Sequence, residues 1–433
     1  MKEGESRAAA TGVSRIEALH YRSLRYVATE LRPFQLLVGP NASGKSTFLD
    51  VVGFLGDLLR TDLETAVGGD PRLEIPLRAP DPKQLTWLRG QDAFELAVEL
   101  VIPAALCSND SYARVRYEVR IGVSDTPCIQ VENVWLRTGR DPVRQARQVS
   151  FFPAPLKPPE RIVRKPGTQT PKGWRKIVAR GEPGRVYFRS ETTNWNSPFG
   201  LNPQKAALAT VPEERDRFPV TLWLRDVLAS GVRRLALSGE AMRRPCPPTR
   251  KKGYLPDGSN LPYVVDRLAR TAPDRLKRWV GHVREALPDL ETITTEEREE
   301  DRHRYLVIRY RSGLEAPSWL VSDGTLRMLA LTLLAYTADV EGGIYLVEEP
   351  ENGVHPRAVE TVFQSLSSVY GAQVLLATHS PVILGMADPA DLLCFGRNAE
   401  GATDVVPGPE HPGLRQWKGA LDLSSLFAAG VLG

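Results

Sequence analysis

The chain has 433 residues, 56 Lys and Arg against 52 Asp and Glu, a net charge of +4 and 42% apolar residues, enough for ordinary cores in two or three domains. That charge is too mild to mark a nucleic-acid binder by itself, and no apolar run approaches the roughly twenty residues that span a bilayer. Residues 1–12 are small and polar, unlike a signal peptide, and Cys107, Cys128, Cys246 and Cys394 lack metal-ligand spacing, which implies free thiols in a reducing cytoplasm.

In chain order, the apolar run Phe34 to Val38 predicts a strand, and it feeds Gly39-Pro40-Asn41-Ala42-Ser43-Gly44-Lys45-Ser46-Thr47. A strand, a glycine-bearing turn and a helix starting near Lys45 converge backbone N–H groups and a positive helix end on one anion. Gly39 and Gly44 permit backbone angles that side chains resist. Lys45 is placed to reach β- and γ-phosphates and Ser46 to hold Mg²⁺ through its hydroxyl, so the segment predicts binding of ATP or GTP.

Phe94 to Pro103, Tyr112 to Val123 and Cys128 to Arg137 alternate apolar and polar residues. Val115, Tyr117, Val119, Ile121 and Val123 share one face, which predicts antiparallel strands. Between Arg137 and Arg189 the chain is dense in cations, among them Arg140, Arg144, Arg147, Arg161, Arg164, Lys165, Lys172, Arg175 and Lys176, with Trp174, Tyr187 and Phe188 interleaved. Cations neutralise phosphates and aromatic faces stack on unpaired bases, so this region reads as a face for DNA or RNA, a docking face for an acidic partner, or a solvated loop.

Val220 to Leu228 and Val265 to Leu287 predict helices, and Tyr305 to Tyr310 a strand. Glu296, Glu297, Glu299, Glu300 and Asp301 read as a solvated turn. Ser322-Asp323-Gly324-Thr325 precedes the apolar helix Leu326 to Tyr336, a second hydroxyl-and-glycine helix start suited to an anion. Ile344 to Val347 predicts a buried parallel strand that ends in Glu348 and Glu349. Ligands bind at the carboxyl ends of such strands, which places Glu348 on the Mg²⁺ side and Glu349 on the attacking water. Gln373 to Ala377 predicts another buried strand, which ends near His379 on the side of the γ-phosphate opposite Glu349. No heptad run is sustained, so no long coiled coil is expected.

The order of these elements resembles the ATP-binding-cassette head family, and within it the RecF/SMC/OLD group. In that resemblance Gly39 to Thr47 match the Walker A motif, Ser322 to Thr325 the signature, Val347 to Glu349 Walker B, Gly353 to His355 the D-loop and His379 the switch histidine. Glu348-Glu349-Pro350-Glu351 with His355-Pro356, then Ala377-Thr378-His379-Ser380-Pro381, looks especially like OLD-type and related phage-defence ATPases. Ile16 to Leu24 resembles the first strand of that group. Glu348 stands where the wider family favours Asp. No clear Q-loop is found, with Gln84 and Gln91 the positional candidates.

The resemblance implies an α/β fold, an ABC-ATPase head with a P-loop sheet, an antiparallel β subdomain, a compact inserted α+β lobe and no long coiled coil. Residues 1–136 and 301–433 are expected to form the head and 137–300 the inserted basic and helical lobe. The implied cofactors are ATP and Mg²⁺, with Ser46 and Glu348 on the metal and Glu349 and His379 catalytic. Two chains are expected to close on two ATP molecules, each held between Walker A of one and Ser322-Asp323-Gly324 of the other, as a homodimer or higher oligomer. About fifty residues follow His379, too few for the TOPRIM nuclease domain of OLD proteins. The expectation is therefore a cytoplasmic ATPase switch in anti-phage defence acting on a separate, nuclease-like effector, with a C-terminal helix over 421–429 that either meets this effector or closes the sheet. The alternative is a RecF-like sensor of DNA ends or repair sites.

Overall fold

The computed structural model describes residues 12–106, 112–124, 126–139, 150–165, 167–182, 184–250, 253–340, 342–415, 423–428 and 430. Arg140, Arg144, Arg147, Cys107, most of the N-terminal twelve residues and the ends of the expected C-terminal helix lie outside them. The chain divides into two units, Thr11–Val232 with Asp388–Leu421, and Arg233–Ala387 with Asp422–Ala428.

The first unit opens with β1 (Val13–Tyr21), β2 (Leu24–Glu30) and β3 (Phe34–Val38), then α1 (Lys45–Arg60) and α2 (Leu63–Gly68). Six strands follow: β4 (Ala93–Val101), β5 (Arg114–Gly122), β6 (Cys128–Arg137), β7 (Trp174–Glu182), β8 (Arg185–Arg189) and β9 (Asn196–Gly200). They build an antiparallel sheet in the order β2-β1-β4-β5-β6-β7-β8-β9, to which the segment expected as an inserted lobe thus gives three strands. The expected face of Val115, Tyr117, Val119, Ile121 and Val123 is buried.

The opposite face of this sheet is polar and also buried. Arg116 bonds there to Glu17 at 2.7 Å, Glu99 at 3.0 Å and Glu118 at 2.8 Å. The carboxylate of Glu95 takes the N–H groups of Ile162 and Val163, and Glu118 takes that of Arg164, so residues 162–164 are strapped across the face. Burial pushes the Glu17 carboxyl up, but Arg116 and Arg15 outweigh it and hold it at about 2.

α3 (Pro219–Asp226) closes this segment, ending in a wide turn over Val227–Gly231 that packs on α1. The second unit then begins with β10 (Val232–Leu235) and α4 (Gly239–Arg243). The expected single helix Val265 to Leu287 is two, α5 (Leu261–Thr271) and α6 (Pro273–Ala286). Pro273 lacks the N–H that would continue α5 but suits the first turn of a new helix. β11 (Leu290–Glu297), β12 (Arg304–Tyr310) and β13 (Glu315–Pro317) form a small antiparallel sheet. α7 (Asp323–Leu333), β14 (Ile344–Glu348), α8 (Pro356–Ser367), β15 (Gln373–Ala377) and α9 (Pro381–Met386) complete the unit, with β14 and β15 parallel. The chain returns to the first unit as β16 (Leu392–Arg397), parallel to β3, and β17 (Thr403–Pro407), antiparallel to β16. The longest described helix, α1, has 16 residues, and no described helix is long and apolar enough to cross a membrane.

Candidate functional site

The phosphate-loop residues lie in the first unit. β3 is buried at all five positions and ends at Val38. The chain then turns through Gly39 at φ 148°, Ala42 at φ 60° and Gly44 at φ 104°. A Cβ on Gly39 would press into the Phe395 carbonyl, and one on Gly44 into the Thr403 hydroxyl, so both must be glycine. α1 starts at Lys45 with no side-chain cap and no acid in its first turn. The positive end of the helix dipole thus carries no side-chain cap or acid of its own, an arrangement suited to an anion.

Lys45 is buried, its Nζ donating to the carbonyl oxygens of Gly39 at 2.8 Å and Pro40 at 2.9 Å. Ser46 is exposed at the helix start, and the buried Ser43 Oγ has no hydrogen-bond partner among the described residues. These features fit a polyphosphate: a helix without a side-chain cap, a lysine folded on its own loop and an exposed hydroxyl at the helix start. The loop is braced from behind by Thr403 Oγ1, which donates to Ser43 O at 3.0 Å, and by Arg397, which donates to Ala42 O at 3.2 Å. Asp50 in α1 accepts from Tyr21 at 2.6 Å and Arg78 at 2.9 Å, which fixes the helix against β1. No sequence signal singled out Arg397 or Thr403; they come from the far end of the chain.

The acidic strand end lies in the second unit. Glu348 ends β14 opposite Ala377 of β15 and lies 3.8 Å from Arg234 Nε on β10. Glu349 has φ 48°, a conformation uncommon for a residue with a side chain, and its N–H donates to Ala377 O at 2.8 Å. One carboxylate oxygen of Glu349 accepts from Asn352 Nδ2, and the other lies 4.0 Å from His379 Nε2. Glu349 and His379, expected on opposite sides of a γ-phosphate, thus lie side by side at the ends of neighbouring strands. Glu351, which the sequence placed in the Glu348-Glu349-Pro350-Glu351 string without a role of its own, accepts from Thr378 Oγ1 at 2.6 Å and from His379 N–H at 3.1 Å.

Ser322 caps α7, its Oγ accepting from Thr325 N at 3.2 Å. Ser322 and Asp323 are exposed, and Asp323 pairs with Arg243 at 2.5 Å. A Cβ on Gly324 would collide with the carbonyl of Gly353, so the helix start rests on the turn after β14, where Gly353 has φ 73°.

Gln84 sits in a short 3-10 turn, and Gln91 just before β4; neither ends a strand. Of the acids near 296–301, Glu297 pairs with Arg302 and Arg304 and Asp301 with Arg298, while Glu296 accepts from Tyr305. In the basic region some cations are structural. Arg180 is buried on Glu132 and donates to Pro203 O, and Arg175 donates to Ser190 O. Arg161, Arg164 and Lys165 instead line a cavity of about 860 Å³ in the first unit, whose walls carry seven cationic side chains against four carboxylates. Trp174 is in that wall with the guanidinium groups of Arg137 and Arg164 over its ring at 4.2 and 4.7 Å.

Residues 261–385 match the protein family described as "AAA domain, putative AbiEii toxin, Type IV TA system". That span holds Ser322, Glu348, Glu349 and His379 but not the phosphate loop. Among solved structures, the chain is similar to an Smc head bound to the C-winged helix domain of ScpA, with 12% identity, a TM-score of 0.51 and coverage of 91% of this chain and 96% of that one. It also matches the Smc head domain with an extended coiled coil bound to the C-terminal domain of ScpA from Pyrococcus furiosus (12% identity, TM-score 0.48, coverage 91% and 95%). A third match is the SMC head domain from Thermotoga maritima (13% identity, TM-score 0.39, coverage 91% and 98%). The fold is that of an SMC head domain, mixed α/β with antiparallel sheets.

Proposed function

We propose that this chain is a cytoplasmic ABC-type ATPase that dimerises around ATP and controls a separate effector in anti-phage defence. The observation that carries the nucleotide reading is the loop at Gly39 to Thr47, where an uncapped helix N-terminus and the folded-back Lys45 await a polyphosphate. Lys45 exchanges the carbonyl oxygens of Gly39 and Pro40 for phosphate oxygens. Mg²⁺, when bound, neutralises phosphate charge, and Ser46 and Glu348 are the residues to hold it.

Glu349 orients and deprotonates the attacking water, with His379 beside it. Ser322, Asp323 and Gly324 at the start of α7, the first two exposed, take the nucleotide of a second chain, so hydrolysis reopens the dimer. The AbiEii-type match over 261–385 supports the defence context, and the winged-helix partner of the Smc head supports an effector that docks on a head of this fold. The test is ATP turnover and effector co-purification. Absence of nucleotide binding by the purified chain would overturn the reading.

A second reading, a RecF-like DNA-repair ATPase that binds DNA or RNA directly, is favoured by the cationic cavity at Arg161, Arg164 and Lys165. Turnover stimulated by nucleic acid and independent of any effector would select it. Reversing Arg161 and Lys165 to Glu should then abolish the stimulation while basal turnover persists.

A further inference from the structure

We propose that Glu351 is a positioning residue that fixes His379 against Glu349. Two parallel strand ends meet here, and each carries one member of the pair. Backbone pairing ends at Glu349, whose N–H donates to Ala377 O. Beyond that point the two loops are tied by a side chain. Glu351 Oε1 accepts from Thr378 Oγ1 at 2.6 Å and from the His379 N–H at 3.1 Å. Thr378 Oγ1 in turn accepts from Ser380 N at 2.9 Å, so the main chain is clamped on both sides of the histidine.

The alternative is a strut that only stabilises the unit. The other oxygen, Glu351 Oε2, is buried and has no hydrogen-bond partner among the described residues. A carboxylate with one orphaned oxygen is a costly way to join two loops, since a buried acceptor without a partner loses its hydration and gains nothing in return. An apolar contact would join them at lower cost but could not hold the His379 N–H. The accepting oxygen therefore sets geometry: it holds the imidazole at the 4.0 Å separation from Glu349, a residue itself in a left-handed backbone conformation.

The kinetic arm of the test rests on the ATPase reading; the spectroscopic arm does not. The chain has only six histidines, so carbon-13 labelling of histidine gives an assignable His379 ring signal. In the wild-type background, Glu349→Gln should shift that signal. In the Glu351→Ala background the same substitution should shift it less than half as far. Glu351→Gln keeps an accepting oxygen and should restore the coupling. If Glu351→Ala does not fold, Thr378→Val removes the other bond to Glu351 Oε1 and the bond to the Ser380 N–H, and should weaken the coupling in the same direction.

On turnover, Glu351→Ala should lower kcat 10- to 100-fold with KM changed less than threefold, and Glu351→Gln should stay within about threefold of wild type. Adding His379→Ala to Glu351→Ala should cost little more than His379→Ala alone. Full coupling in Glu351→Ala, a Gln variant as impaired as Ala, or additive losses in the double variant would each overturn the proposal. Wild-type protein that does not hydrolyse ATP would sink the ATPase reading while the ring signal still decides the role of Glu351.

Discussion

Lys45 donates to the carbonyl oxygen of Gly39 at 2.8 Å, so the one cation of the phosphate loop is bonded to the loop it serves. The ammonium is buried, and burial of a charge is tolerated because the carbonyl oxygens of Gly39 and Pro40 accept hydrogen bonds from it. A triphosphate offers the same donors charged oxygens, and charge-assisted bonds are about twice as strong as neutral ones. Lys45→Ala should therefore abolish ATP binding by calorimetry, with a thermal midpoint close to wild type. ATP affinity equal to wild type in this variant would remove the phosphate-cradle assignment.

Glu349→Gln should retain ATP binding and lower turnover at least about a hundredfold, because the base is lost while the phosphate contacts remain. The amide keeps an oxygen for Asn352 Nδ2, so the turn should stay intact. Size-exclusion chromatography with ATP should show a larger species that persists. Unchanged turnover would mean that another group activates the water.

The parts legible in the sequence are those whose chemistry is local. Gly39 to Thr47 needs particular residues at fixed spacing, and the structure gives that spacing the expected strand, turn and helix. Glu349 and His379 were separately legible as strand ends, and parallel pairing of β14 with β15 brings them together. What could not be read depends on distant partners. The alternation in β4 to β6 gave the strands but not the burial of their polar face, because the cover comes from residues 162–164 through backbone N–H groups. Sequence patterns report side chains, and those N–H groups carry no residue signature. The role of Glu351 was hidden for the same reason: one of its two bonds is to the N–H of His379.

Ser322 lies at an exposed helix start and bonds only within its own cap among the described contacts. Its proposed contact is with the nucleotide of a second chain. Ser322→Arg should leave ATP binding by each chain nearly intact and remove hydrolysis. Mixed with Lys45→Ala under conditions of proven subunit exchange, it should recover part of the activity, since each mixed dimer keeps one whole site. No recovery would argue against the sandwich dimer.

Glu17 is buried on Arg116 and Arg15, which hold its carboxyl at about 2, against an ordinary value of 4.5. A folded-state value below the unfolded one adds stability above about pH 4.5, and that stability is lost as the pH falls toward 2. By linkage the contribution at neutral pH is about 3 kcal/mol. Glu17→Gln should therefore lower the urea midpoint at pH 7, and its deficit relative to wild type should shrink between pH 4.5 and pH 2. Arg116→Met should be worse, by about 3–5 kcal/mol, because Glu17, Glu99 and Glu118 are left buried without their shared cation. The two deficits should then move in the same direction with pH, since protonation relieves the stranded carboxylates in Arg116→Met. A Glu17→Gln deficit that stays constant across this range would show that the charge of Glu17 is not what stabilises the buried polar face.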